Sequence, residues 1–225
     1  MKFILKNNSK RKSCKDVFKS FILKTASYGG KYEFPVLERC DEIPDSVISF
    51  SKVLTADNYN QWVHFYEDDY EFERFWNNPL KYIEILKKFK GIISPDFSVY
   101  RDMPLAMQLW NIFRSRSLAY LCQRYGIKVI PNIRFGDSRT YKVCCDGIKK
   151  GGTICFGSHG NMKNKIDREI FLQGVEVVIV IIEPKVVIFY GTIPRDFIRK
   201  YEGKIKTIVI KQEYYEQLSF KLEDM

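Results

Sequence analysis

The chain has 225 residues, of which 45% are hydrophobic and 15% aromatic, so its composition excludes an intrinsically disordered protein and suits a domain with a real core. Its formal net charge is +10, and residues 1–31 carry +8 of it. No apolar run approaches the roughly 18–20 residues of a membrane span, and the start lacks the apolar run of a secretory signal, so we expect a cytoplasmic protein.

The basic N-terminal segment, residues 1–30, is predicted to be an arm or a short helix that precedes one α/β domain, residues 31–225. Lys and Arg displace condensed counterions from phosphates, so such an arm is typical of nucleic-acid binding. The candidate contacts within it are Lys10, Arg11, Lys12 and Lys15. A solvated leader that only keeps the protein in solution is an equal alternative.

The six cysteines are not spaced for a zinc site, because they include no Cys-x-x-Cys pair and the chain has only two histidines. We therefore expect reduced thiols that are mostly buried.

Short apolar runs dominate the first third of the predicted domain. Those at residues 47–50 and 62–66 have the β-branched and aromatic content of strands, and Val36-Leu37 is a weaker strand candidate. An acidic stretch then leads to Asn78-Pro79, which predicts a helix over 79–90 with proline at its first position.

From residue 91 onward, strands and helices alternate. The strands are predicted at 91–94, 127–133, 153–156, 185–190 and 205–210, and the helices at 104–125, 139–145, 164–183 and 194–201. Segment 176–182 has the composition of a strand, but a crossover helix is needed there between parallel strands, which favours a helix. Such alternation indicates parallel strands joined by right-handed crossovers.

These elements predict a mainly parallel sheet in one α/β domain. Either an irregular or reduced (β/α) barrel or a doubly wound open sheet satisfies the pattern. The long helix 104–125 is predicted to bury one apolar face, made of Ala106, Leu109, Trp110, Phe113, Ser117, Tyr120 and Leu121.

Polar loops follow four of the predicted strands, and ligands in α/β folds bind beyond the carboxyl ends of parallel strands. Three carboxylates in these loops, Asp96, Asp102 and Asp137, are candidate catalytic groups, either as acid and base or as hard-oxygen ligands of a divalent cation. The candidate substrate-binding residues are Tyr100, Arg101, Asn111, Arg114, Asn132, Arg134, Ser158 and His159.

Several of these residues have a purely structural alternative. Asp102 and Asp137 precede predicted helices and would serve as N-caps, and Arg114 and Arg116 suit a solvated or ion-paired helix face. His64 lies in an aromatic strand and is predicted to be structural.

The glycine-bounded turn 157–160 would hold phosphate through backbone N–H groups, although the chain has neither a P-loop nor a Gly-x-Gly-x-x-Gly motif.

Segment 95–104, Pro-Asp-Phe-Ser-Val-Tyr-Arg-Asp-Met-Pro, resembles a motif of a family of unknown function carried by phages, plasmids and integrated elements of Gram-positive bacteria. Further resemblance lies in Trp110-Asn111, 114–116, 126–132 and 184–191, and it covers about residues 30–210. The resemblance implies a mobile-element setting and a shared set of polar loops, but no activity. Segment 134–137 departs from the aromatic-polar stretch usual in the family.

Three functions compete on this basis. The first is a hydrolase or transferase that acts on nucleic acid or a nucleotide through the loop residues. The second is a non-enzymatic nucleic-acid-binding or replication accessory protein that uses its basic arm. The third is a phage protein that binds and inhibits a host protein through the aromatic region 66–76. None of the three involves a membrane.

Overall fold

The structure is a computed structural model that describes residues 16–162 and 164–211. The candidate nucleic-acid contacts Lys10, Arg11, Lys12 and Lys15 therefore lie outside the described residues. Across the described part, the strands are β1 Tyr28–Gly29, β2 Phe34–Pro35, β3 Val47–Ser49, β4 Trp62–His64, β5 Gly91–Ile93, β6 Val129–Ile130, β7 Thr153–Gly157, β8 Val186–Tyr190 and β9 Lys206–Ile210. The α-helices are α1 Asp69–Asn77, α2 Pro79–Leu86, α3 Leu105–Arg124, α4 Lys165–Ile182 and α5 Arg195–Arg199.

Two parallel sheets, one with the order β3-β4-β5-β6 and one with the order β7-β8-β9, form the centre of the fold. They meet where the Ile133 N–H donates to the Cys155 carbonyl (2.8 Å) and the Cys155 N–H donates to the Pro131 carbonyl (2.9 Å). The strands thus follow one another in chain order, which confirms the predicted mainly parallel α/β fold. Among the described residues β3 and β9 form no ladder, so the sheet does not close into a barrel.

The two sheets share an interior. Side chains from both pack in one cluster, whose buried members are Cys40, Trp62, Ile93, Ile130, Cys155, Val186 and Ile188. At the carboxyl ends of β4 and β8 the rings of Tyr66 and Tyr190 stack with centroids 4.4 Å apart. Strands four places apart in the order therefore face each other, and their carboxyl ends surround a common space.

Helix α1 was absent from the sequence prediction, which treated residues 67–73 as an acidic stretch. Phe72, Phe75 and Trp76 recur at helical spacing and are buried, while Asp69 and Glu71 occupy the first turn, where carboxylates interact favourably with the helix dipole. The acidic charge therefore belongs to a helix start.

The predicted apolar face of α3 is partly wrong. Ser117 and Leu121 are buried as expected, but Trp110 is 48% exposed, and the buried face includes polar Gln108 and Arg116. Packing partners decide which face is buried: the Gln108 amide donates to the Met103 carbonyl (3.0 Å), and the Arg116 guanidinium donates to the Cys144 carbonyl (2.8 Å).

Arg116 also contradicts its prediction as a solvated or ion-paired residue of the helix surface. Its side chain is buried, and burial lowers its pKa to about 10.

Other expectations are confirmed or refined. Residues 176–182 are helical, as part of α4, and Gly126 ends α3 with φ +81°. The Val36-Leu37 strand candidate is wrong, because the β-structure there is a short antiparallel pair, β1 with β2. The five described cysteines are all buried and free. No helix in the described ranges is long and apolar enough to cross a membrane.

Candidate functional site

One cavity of about 1170 Å³ opens at the carboxyl ends of strands β3 to β8. Six of the predicted site residues line it: Asp96, Tyr100, Arg101, Asp102, Arg134 and His159. Side chains from the ends of β3, β4 and β8 complete it, among them Ser49, Ser51, Lys52, His64, Tyr66, Glu67, Asp68 and Tyr190. The segments around residues 100, 134 and 159 therefore converge on one concave space.

Asp96 is a nearly enclosed carboxylate of this cavity, with 11% of its side chain exposed. It follows Pro95, directly beyond β5. Its Oδ1 accepts a hydrogen bond from Asn132 Nδ2 (2.6 Å), and its Oδ2 lies 3.4 Å from Arg134 Nη1. Burial raises the pKa of Asp96 to about 6, and the positive charge of Arg134 and the Asn132 hydrogen bond oppose that rise. The carboxyl is therefore able to take up and release a proton near neutral pH.

A second layer of hydrogen bonds fixes the amide that holds Asp96. The Tyr66 hydroxyl lies 3.0 Å from Asn132 Oδ1 and 2.9 Å from Cys155 Sγ, and it donates to one of them. The Asn132 N–H donates to Ser94 Oγ (2.8 Å). Burial raises the pKa of Tyr66 well above its usual value and that of Cys155 to about 12, so both remain protonated. These contacts make Asn132 a positioning residue behind the cavity wall.

His64 lines the cavity at the end of β4 and is enclosed by aromatic rings. Its ring centroid lies 4.6 Å from that of Tyr190 and 5.7 Å from that of Tyr66. Burial, followed by the positive charge of Lys52, lowers the pKa of His64 to about 3, so the imidazole is neutral. The aromatic surroundings are those expected from the sequence, whereas its place in the cavity wall was not.

The outer rim of the cavity is more exposed. Arg101 Nε lies 3.0 Å from Asp167 Oδ1, and the Tyr100 hydroxyl donates to Ser98 Oγ (3.1 Å). His159 and Asp102 are exposed at the same rim. Asp102 is not the N-cap of α3, because that position belongs to Pro104.

Asp137 and Ser158 do not line the cavity. Asp137 accepts hydrogen bonds from the Arg139 backbone N–H (2.9 Å) and guanidinium (2.8 Å), which lowers its pKa. Ser158 is buried, and its hydroxyl donates to the Tyr190 carbonyl (3.2 Å). Both residues stabilise the backbone beside the cavity.

Asn111 and Arg114 support the loop that carries Asp96. The Asn111 amide donates to the Ser98 carbonyl (2.6 Å). Arg114 donates to both carboxylate oxygens of Glu73 (2.8 Å each) and lies 3.9 Å above the centre of the Phe97 ring. The polar groups of Asn111 and Arg114 therefore hold segment 95–104 in place. A sequence alone does not distinguish this role from contact with a ligand.

The three predicted carboxylates do not form a cation site. Asp137 pairs with Arg139 and does not line the cavity, whereas Asp96 and Asp102 both line it. In the described ranges, no three or more His, Cys, Asp or Glu side chains are grouped so that they could hold a metal ion.

Sequence reasoning missed the contributions of β3 and β4. The predicted strands 47–50 and 62–66 extended past the observed ends at Ser49 and His64. Ser51 and Lys52 directly follow the predicted strand 47–50, but the strand-end rule was applied only to the strands from residue 91 onward. Applying the rule that ligands bind after strand ends to these two shorter strands would have found them.

Comparison with known proteins gives relatives from bacteriophages. The Gene 1 protein of Mycobacterium phage L5 is 34% identical over 163 residues, which is 71% of this chain and 71% of that protein. The Gene 1 protein of Mycobacterium phage D29 is 34% identical over 129 residues, 57% of this chain and 48% of that protein, so the alignment spans about half the length of that relative. The search of solved structures gives no match.

A family model described as a domain of unknown function, DUF4417, matches residues 26–213. That match covers most of the chain, and it confirms the resemblance to a family of unknown function with phage members. The chain belongs to the DUF4417 family.

Proposed function

We propose that the cavity binds a nucleotide, either free or at the end of a nucleic-acid strand, and that Asp96 transfers a proton during hydrolysis or group transfer on it. The observation that carries this proposal is a buried carboxyl group with a pKa of about 6 that faces a cavity large enough for such a ligand.

The cavity wall suits a ligand with both hydroxyl and anionic groups. Lys52, Arg101 and Arg134 bring positive charge to it, and guanidinium groups bind phosphate through paired N–H donors. Hydroxyl and carboxylate groups alternate with them, among them Ser49, Ser51, Tyr100, Asp68 and Asp102. The hydroxyl groups pair with phosphate as well as with sugar hydroxyls, and the carboxylates accept hydrogen bonds from sugar hydroxyls. A nucleotide contains both a sugar and a phosphate.

Asp96 is placed for proton transfer because its surroundings favour neither form strongly. Burial favours the neutral acid, while Arg134 and Asn132 favour the carboxylate. A group balanced in this way is the type that serves as general acid or base at the pH of a cell.

Calorimetric titration tests ligand binding. Four nucleoside 5′-monophosphates, AMP, GMP, CMP and UMP, are titrated into the full chain, and products are followed by chromatography. We expect Arg134→Gln to weaken the tightest of these interactions about tenfold or more, because it removes a charged donor from the cavity. Arg199→Gln is the matched control, since Arg199 is an exposed arginine that pairs with Asp196 and does not line the cavity, and it should change affinity less than twofold. If the chain binds none of the four nucleotides, the proposal is contradicted.

We further propose that the basic N-terminal segment adds affinity for nucleic acid. Residues 1–15 contain six Lys or Arg and no acidic residue. Deleting them should weaken binding to a single-stranded oligonucleotide and flatten the dependence of log K on log salt concentration, because fewer counterions are released. Fluorescence anisotropy at several salt concentrations measures both. Equal slopes for the two forms would show that the segment does not contact phosphates.

A further inference from the structure

His64 contains a buried polar atom without a partner. The residue is 1% exposed, and its Nε2 has no hydrogen-bond partner among the described residues. It lines the cavity, and it pairs with Ser49 in the parallel register of β3 and β4. A buried polar atom without a partner reduces the free energy of unfolding, unless a ligand or a water molecule forms the missing hydrogen bond.

The hydrogen bond at the other ring nitrogen determines what Nε2 offers. The backbone N–H of Tyr66 donates to His64 Nδ1 (3.2 Å), so Nδ1 is an acceptor and carries no proton. A neutral imidazole has one N–H, which must then be at Nε2. His64 therefore presents a hydrogen-bond donor that lacks an acceptor.

The charge near His64 favours an anionic acceptor. Lys52 lies close enough for its positive charge to oppose protonation of the imidazole, and it lines the same cavity. The carboxylate of Glu67 also lines the cavity, but one of its oxygens accepts a hydrogen bond from the Ser51 backbone N–H (3.0 Å). A phosphate oxygen would satisfy the His64 donor and bring negative charge toward Lys52.

We infer that His64 Nε2–H donates to a phosphate oxygen of the bound nucleotide and thereby selects nucleotides over nucleosides. This inference rests on the proposed function, and it adds the group of the ligand that the β4 end of the cavity recognises. It also separates two roles in one cavity: His64 recognises the phosphate, and Asp96 moves the proton.

Two substitutions at position 64 test the donor. His64→Phe keeps an aromatic ring against Tyr190 but removes the N–H, whereas the amide nitrogen of His64→Gln reaches the place of Nε2 and keeps a donor. Each full-length variant is titrated with AMP, GMP, CMP and UMP and with the four corresponding nucleosides. Thermal unfolding without ligand is measured in parallel.

We expect His64→Phe to weaken nucleotide binding about tenfold and to leave nucleoside binding within twofold. His64→Phe also removes Nδ1, the acceptor of the Tyr66 backbone N–H, so the unliganded melting temperature should fall. His64→Gln should retain nucleotide affinity within about threefold. Unchanged nucleotide affinity in His64→Phe, or equal losses for nucleotides and nucleosides, would overturn the inference while the proposed function stands. A wild-type chain that binds none of the nucleotides would overturn both.

Discussion

Asp96→Asn is expected to raise the free energy of unfolding by about 3 kcal/mol at pH 7.5. The carboxyl has a pKa of about 6 in the folded protein, against the ordinary value of 3.8 for aspartate. The folded state therefore holds the Asp96 proton more tightly than the unfolded state does. The contribution of Asp96 to the free energy of unfolding is therefore most favourable below about pH 4 and falls as the pH rises through 6. A shift of about two pKa units is equivalent to about 3 kcal/mol.

Chemical denaturation of the wild type and Asp96→Asn at several pH values between 4 and 8 measures this difference. The two stability curves should lie close together near pH 4 and separate as the pH rises to 7. Asp137→Asn is the control, and the expected change in stability has the opposite sign. Arg139 lowers the pKa of the Asp137 carboxyl, so removing that carboxyl should destabilise the protein above pH 4. A neutral or destabilising effect of Asp96→Asn at pH 7.5 would contradict the account of this residue.

The same substitution is expected to reduce any turnover of a bound nucleotide by about 10²- to 10⁴-fold, the usual contribution of a general acid or base. A gain in stability together with a loss of turnover would identify Asp96 as a group retained for function at the expense of folding.

Gly174→Val is expected to destabilise the protein by about 3 kcal/mol. Gly174 lies inside α4, and a Cβ built on it would stand 2.2 Å from the ring of Phe135. That ring cannot move freely, since it packs against Phe171 (centroids 5.9 Å) and edge-on against Tyr141 (5.1 Å). Overpacking of a filled core typically costs 1–3 kcal/mol. Because Phe135 lines the cavity beside Arg134, the substitution should also weaken nucleotide binding.

Gln173→Val provides the matched control for Gly174→Val. Gln173 is the preceding residue of the same helix and is exposed, so the same new side chain meets solvent there. Its cost should be limited to the helix propensity of valine, about 0.5 kcal/mol. Urea denaturation compares the two variants, and equal effects at both positions would show that contact with Phe135 is not tight.

The order and type of most elements could be predicted because they follow from local patterns. Alternating apolar runs and helical periodicity indicated the parallel α/β fold, and the need for a crossover identified residues 176–182 as helix despite their strand-like composition. The buried face of α3 could not be predicted in the same way. Arg116 is buried only because the Cys144 carbonyl meets its guanidinium, and that contact depends on the tertiary arrangement.

The candidate site was predictable to a similar extent. The rule that ligands bind beyond strand carboxyl ends placed Asp96, Arg101 and Arg134 at one cavity, since these residues lie in the loops that follow strands. The same rule did not distinguish residues that contact a ligand from residues that hold a loop in place. Asn111 and Arg114 were therefore predicted to bind the ligand, although they hold segment 95–104. Tyr66 and His64 were missed because their roles depend on β4 facing β8 across the interior, which no local pattern reveals.

A crystal structure of the chain with its tightest-binding nucleoside monophosphate is the most direct test of the central claim. We predict the nucleotide inside the cavity at the carboxyl ends of β3 to β8, with a phosphate oxygen within 3.2 Å of His64 Nε2, matching the upper range of a normal N–H···O hydrogen bond, and with the Asp96 carboxyl in contact with the ligand. A nucleotide bound elsewhere on the surface, with this cavity free of it at saturating concentration, would contradict the claim.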